Sequence, residues 1–144
     1  METQKISRVS EAAVKYQTSP DETYHLVEKA HEGVPVSAFF DILEFSGLSK
    51  NELTNLLDVS FKTIQRYQKD GKKLNAIHSE QLLKIIALYQ KAEEVFGDLS
   101  SFNRWLRKPA VGLGNRLPLK FLQTPGGTDL IMDELRRIEF GALA

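Results

Sequence analysis

Between Ser60 and Lys73 the chain sets out Lys62, Thr63, Gln65, Arg66, Lys69, Lys72 and Lys73, a run of donors and cations interrupted by one acid, Asp70. Arginine presents two parallel N–H donors that match guanine, glutamine matches adenine through its amide, and lysine meets phosphate as a point charge. The chemistry open to this set is the reading of duplex DNA. Lys62, Gln65, Arg66 and Lys69 recur at three- and four-residue steps, so a helix there carries them on one face, with Ser60 and Thr63 at its start. Arg66 and Gln65 are the expected base readers, and the lysines the expected phosphate contacts.

A second basic island spans residues 100–120, where Arg104, Arg107, Lys108, Arg116 and Lys120 stand with no acid. Other chemistries lack their residues. His25, His31 and His78 form no H-E-x-x-H or other metal-ligand spacing. Gly112-Leu113-Gly114-Asn115-Arg116-Leu117 begins like a dinucleotide fingerprint, but it lacks the third glycine and no strand precedes it. The abundant Asp and Glu fall on polar helix faces beside basic partners, where charge serves solvation. No enzyme, cofactor or metal site is expected.

The surrounding chain of 144 residues can bury one moderate core. Hydrophobic residues at 42% and charged residues at 26% match an ordinary globular domain and argue against wholesale disorder. There is no cysteine, which excludes disulfides and thiolate chemistry and fits a reducing compartment. No apolar run reaches signal-peptide or membrane-span length, so a soluble, cytoplasmic protein is expected. The net charge of zero argues against a nonspecific nucleic-acid coat, because counterion release needs a broadly basic surface.

The elements that must position these residues all read as helices. Period-2 alternation is absent, and helix punctuation is frequent. Ser19-Pro20-Asp21-Glu22 predicts a helix start, with Gly33 as its stop, while residues 1–18 are expected to be partly disordered. Pro35 opens a helix with Phe39, Ile42 and Leu43 on one stripe, stopped by Gly47. Ser49-Lys50-Asn51-Glu52 is a capping box opening a short helix to about Leu57, and Ser60 caps the next, to about Lys69. Ser79 is expected to cap a long helix carrying Leu82, Ile85, Ile86, Tyr89 and Phe96 until Gly97. A helix from Asp98 to Arg107 follows, ended by Lys108-Pro109, then an irregular loop. Thr124-Pro125 begins the last helix, with Leu130, Ile131, Leu135 and Ile138 as its apolar stripe.

Leu53, Leu57, Val59, Ile64 and Tyr67 have the spacing of two short helices that cross at a tight turn and share a small core. The predicted fold is therefore all-α, with a helix-turn-helix whose second helix turns Phe61, Lys62, Thr63, Gln65, Arg66 and Lys69 outward. Aspartate stands at position 58, where a turn glycine is usual, and it tolerates the left-handed region better than most residues. Phe61 is an odd residue for a DNA face; it either covers the core or touches a thymine methyl.

Ala92-Glu93-Glu94-Val95-Phe96-Gly97-Asp98, Trp105-Leu106-Arg107-Lys108-Pro109, Pro118-Leu119 with Phe121-Leu122-Gln123-Thr124, and Arg137-Ile138-Glu139-Phe140-Gly141 follow one another in the order and spacing of a known family. From Gly33 to Ala144 the sequence resembles the Xre/MbcA/ParS antitoxins, partners of RES-domain toxins that consume NAD. The resemblance implies an N-terminal extension (1–33), a Xre-like helix-turn-helix (34–75), and a helical toxin-binding and dimerising segment (76–144). It also implies a type II antitoxin that silences its toxin by direct binding and represses its own operon at operator DNA. A homodimer is expected, because one short recognition helix reads too few base pairs alone. The alternative is a stand-alone regulator of the same fold.

Within that resemblance, Trp105, Arg107 and Pro109 are expected to meet the toxin, although Trp105 reads equally as a core aromatic. The end of the chain is expected to lie across the toxin's NAD cleft, with Phe140, Gly141, Leu143 and Ala144 as the inserted tip and Arg136 and Arg137 as donors. The alternative is that Ile138 and Phe140 only pack the last helix onto Trp105.

Overall fold

The computed structural model describes residues 6–143, with side chains up to residue 141. Among them are nine α-helices, one short 3-10 turn and no strand. In chain order the helices are α1 (Arg8–Lys15), α2 (Thr23–Glu32), α3 (Ser37–Ser46), α4 (Lys50–Leu57), α5 (Phe61–Asp70), α6 (Ala76–Phe96), α7 (Leu99–Leu106), α8 (Pro118–Phe121) and α9 (Pro125–Leu143). The 3-10 turn, Val111–Leu113, lies in the loop between α7 and α8. The all-helical prediction holds.

The core is organised around α6. Leu82, Leu83, Ile85, Ile86, Leu88, Tyr89 and Ala92 have no exposed surface. Apolar residues on so many sides of one helix need a sheath rather than a single partner. α2 and α9 flank it most extensively, and α1 and α7 complete the cover.

Several boundaries differ from the sequence expectation. Residues 8–15 form a helix rather than a loose arm. Ser7 caps it by accepting from the Ser10 N–H at 3.2 Å, and Val9, Ala12, Ala13 and Tyr16 are buried. The two alanines allow a close approach to α6, and the Tyr16 hydroxyl anchors α3 by donating to Asp41 and bonding Ser37 at 2.9 Å. The Ser19-Pro20 signal makes a turn, with Ser19 Oγ accepting from the Asp21 N–H, and α2 starts only at Thr23.

The long helix starts one turn before Ser79, because Asn75 takes the cap: its Oδ1 accepts from the His78 N–H at 2.8 Å. Ser79 is buried inside the helix. Its hydroxyl accepts from the Val34 N–H at 3.0 Å and donates to Leu74 O at 3.1 Å, so it serves the crossing chain. In α9 the inward stripe is Thr128, Ile131, Met132, Leu135 and Ile138, while Leu130 turns outward at 53% exposure.

Candidate DNA and partner interfaces

The helix-turn-helix is built from local bonds that the sequence specifies. Ser49 Oγ accepts from the Glu52 N–H at 3.0 Å, and Glu52 Oε1 accepts from the Ser49 N–H at 2.9 Å, closing the capping box at the start of α4. Asp58 ends α4 in the left-handed region, φ 54° and ψ 46°, which swings the chain into α5. Ser60 Oγ caps α5 by accepting from the Thr63 N–H at 3.2 Å. Leu53, Leu57 and Ile64 are buried beneath this turn, with Val59 and Tyr67 half-buried at its edge.

That packing fixes which side of α5 is free. Lys62, Gln65, Arg66 and Lys69 are exposed on one face, and Lys72 and Lys73 are exposed in the loop beyond it. Arg66 and Lys72 flank the Tyr67 ring at 5.7 and 5.8 Å from its centroid. Thr63 is half-buried, its hydroxyl bonded to Ser60 Oγ at 2.9 Å, so these two residues shape the start of α5.

Phe61 does not join the outward face. Its ring lies 6.2 Å from those of Phe39 and Phe40, and it covers the seam between α3 and α5. Lys50 Nζ sits 4.3 Å from the Phe61 centroid, which places a further cation where α4 and α5 begin. Sequence reasoning passed over Lys50. The signal was its position directly after the cap serine, where the helix dipole favours acids and a lysine needs another reason.

In the C-terminal half, Trp105 is half-buried. It stacks on Phe102 at 6.0 Å with an 18° interplanar angle, and it lies 5.9 Å from Phe96. Arg107 reaches back across 55 residues. Its Nη2 donates to both Glu52 oxygens, at 2.8 and 3.0 Å, and its Nη1 donates to Asn103 O. Asn103 Nδ2 donates to Ser46 O at 2.7 Å, so one edge of α7 is fastened along the α3–α4 turn. Pro109 is exposed beside it.

The end of α9 separates into engaged and free residues. Arg136 Nη2 donates to Pro20 O at 3.0 Å, and Arg137 pairs with Glu134 one turn earlier in the same helix. Lys91 binds Glu139 at 2.9 Å, tying the end of α9 to α6. Ile138 packs on the core, whereas Phe140 is 67% exposed and Gly141 is exposed. Leu143 lies in the helix without a described side chain, and Ala144 lies outside the described residues.

Between this helix and the 110–117 loop runs a groove lined by Leu113, Phe121, Leu130, Arg116 and Arg137. Gly112 lets the loop approach there, since a Cβ at that position would collide with the Glu134–Arg137 pair. Among the described residues no three His, Asp or Glu side chains form a metal-binding group, and no helix is long and apolar enough to cross a membrane.

Comparison with known proteins matches both halves. The family model for the antitoxin Xre-like helix-turn-helix domain matches residues 25–87, and that for the antitoxin Xre/MbcA/ParS C-terminal toxin-binding domain matches residues 91–141. The chain is similar to a protein named antitoxin Xre from Photorhabdus laumondii subsp. laumondii, 26% identical over 121 residues, 83% of this chain and 82% of that one. It is also similar to an antitoxin Xre from Yersinia enterocolitica serotype O:8, 23% identical over 120 residues, 83% of this chain and 81% of that one. With a DNA-binding helix-turn-helix and a C-terminal domain matched in this order along one chain, the protein belongs to the Xre/MbcA/ParS family of antitoxins.

Proposed function

We propose that this antitoxin neutralises an RES-domain, NAD-consuming toxin through its C-terminal segment and represses its own operon through α5. The observation that carries the first half is the end of α9. Phe140 is a large apolar side chain left 67% exposed next to an exposed glycine, on a helix whose inner stripe up to Ile138 packs on the core. An aromatic that its own core does not cover makes an anchor for a partner pocket. Residues 136–144 lie across the toxin's NAD cleft with Phe140 leading. The free edge of Trp105 and the exposed Pro109 extend the same contact. Arg107, Arg136 and Arg137 are already engaged within the chain, so they meet the toxin only by exchanging those bonds.

For the second half, Arg66 and Gln65 read bases, and Lys62, Lys69, Lys72 and Lys73 hold phosphates, with Ser60 and Thr63 shaping the helix start. Two copies place two α5 helices about one turn of DNA apart. The middle of α6 is buried within the monomer, so a dimer contact through the long helix uses its exposed ends, where Ile77 is 72% exposed, together with the C-terminal segment.

The test of toxin silencing uses the full-length protein co-purified with the product of the adjoining reading frame. Phe140→Asp keeps the fold, since the side chain is exposed, and should release NAD consumption while melting temperature and DNA binding stay unchanged. NAD turnover still fully blocked by that variant would overturn the cleft reading. For DNA, Arg66→Ala should cost about 1–3 kcal/mol on the operator and relax preference at one base pair. Equal weakening on operator and random DNA would remove Arg66 from base reading.

A further inference from the structure

We propose that α7 carries a second DNA-backbone contact, in which Arg104 and Lys108 hold phosphates beyond the helix-turn-helix itself. This rests on the reading of α5 as the recognition helix. When such a helix lies in the major groove, its partner, here α4, crosses the sugar–phosphate backbone. An element fixed beside the first turn of α4 is thereby brought near that backbone.

α7 is fixed there by two bonds. Asn103 and Arg107, four residues apart, form one row on the helix. Asn103 Nδ2 donates to Ser46 O, just before α4, and Arg107 Nη2 donates to both oxygens of Glu52, in its first turn. Arg104 is one residue past Asn103 and so about 100° around α7 from it, and Lys108 follows Arg107 in the turn just beyond the end of the helix. Both are exposed, and Phe102 and Leu106 point the other way into the core. Among the described residues, the Arg104 side chain bonds Ser101 Oγ within the same helix and no other group.

Charge supports the same occupant. Glu52 alone would set a carboxylate against the backbone, and Arg107 cancels it. Lys50, held over Phe61, adds a cation at the start of α4, the same turn to which Arg107 is fastened through Glu52. With the Glu52 charge matched by Arg107, the exposed cations beside the α3–α4 turn are Arg104 and Lys108, in addition to those on α5. The basic island at residues 100–120, left unexplained by the recognition helix, thereby continues the DNA surface that α5 begins.

The experiment measures binding of the toxin-free, full-length protein to a duplex carrying the DNA upstream of its own gene and to a random-sequence duplex, across a salt series. Each phosphate contact contributes about 0.9 to the log–log salt slope, so Arg104→Ala/Lys108→Ala should lower its magnitude by about 1.8 and weaken both duplexes by the same factor. The melting temperature should be unchanged, because both side chains are exposed. Arg66→Ala, measured in parallel, is the control on the recognition helix. An unchanged slope in the double variant, with Arg66→Ala still losing the upstream DNA, overturns this inference alone. Arg66→Ala without effect on either duplex removes the recognition-helix reading on which it rests. A double variant that binds DNA normally but no longer binds the toxin also overturns the inference and returns α7's basic row to the toxin.

Discussion

Replacing Asp58 separates backbone strain from charge at the turn that aims α5. The residue sits at φ 54° and ψ 46° with an exposed side chain. A β-carbon in the left-handed region costs about 1–2 kcal/mol, part of which aspartate recovers by local hydrogen bonding. Glycine escapes that cost but gives back about 0.5–1 kcal/mol through the greater freedom of the unfolded chain. Asp58→Gly should therefore change stability by about 0 to +1 kcal/mol, and Asp58→Ala should lower it by about 1 kcal/mol. For a chain of this length that loss lowers Tm by roughly 2–4 °C. Asp58→Asn retains tolerance of the left-handed region and removes the charge alone. A phosphate about 10 Å away feels that charge by about 0.4 kcal/mol in water before salt screening, so DNA affinity should rise by less than about twofold and only at low salt. Circular-dichroism melts and DNA titrations at two salt concentrations read both effects. If Asp58→Ala melts at or above Asp58→Gly, the turn carries no left-handed strain and the reasoning fails.

Gly127→Ala should lower stability by about 1–2 kcal/mol, because a Cβ there collides with the Phe121 carbonyl and over-packing outweighs the gain in helix propensity. Gly126→Ala, next to it and facing open space, should instead be neutral or stabilising by up to about 1 kcal/mol, and urea unfolding of the pair checks the contrast. Asp98 caps α7 by accepting from the Ser101 N–H at 2.7 Å, and that bond holds its carboxyl below the usual range. A lowered folded-state value means that the cap's contribution is complete above the ordinary carboxylate range and is lost as pH falls through the folded value. Asp98→Asn should flatten the acid side of the stability–pH curve while leaving neutral stability nearly unchanged. Lys69→Ala should reduce the salt slope of DNA binding by about 0.9 and weaken all sequences alike, as seen by fluorescence anisotropy.

Local grammar made the helix-turn-helix legible: the Ser49–Glu52 box, the Ser60 cap and the apolar steps from Leu53 to Ile64 are each complete within a few residues. So was the outward face of α5, because burying Ile64 leaves Lys62, Gln65 and Arg66 no other direction. Phe61 was ambiguous for a reason of distance, since its cover comes from Phe39 and Phe40 on another helix. α1 escaped notice because two of the four residues buried along it and its C-terminal cap are alanines, which contribute little to an apolar pattern yet allow close packing against α6. At the start of α6 the sequence reading took Ser79 as the cap and passed over Asn75 one turn earlier, and only the position of Val34 shows why the serine is spent elsewhere. The Arg107–Glu52 bridge joins two segments that are each locally ordinary, so no spacing rule could have paired them.

The enclosure of α6 has a consequence for how such proteins diversify. The helix-turn-helix match ends at residue 87 and the C-terminal match begins at residue 91, so the border between two nominal modules falls inside one continuous buried helix. A crossover at that border would join half of one lineage's packing surface to half of another's, leaving mismatched layers on every side of the same rod. A new C-terminal half joined there would have to bring core residues that fit the retained half of α6. Substitution on the exposed faces of α5 and α9, by contrast, would leave that interior untouched.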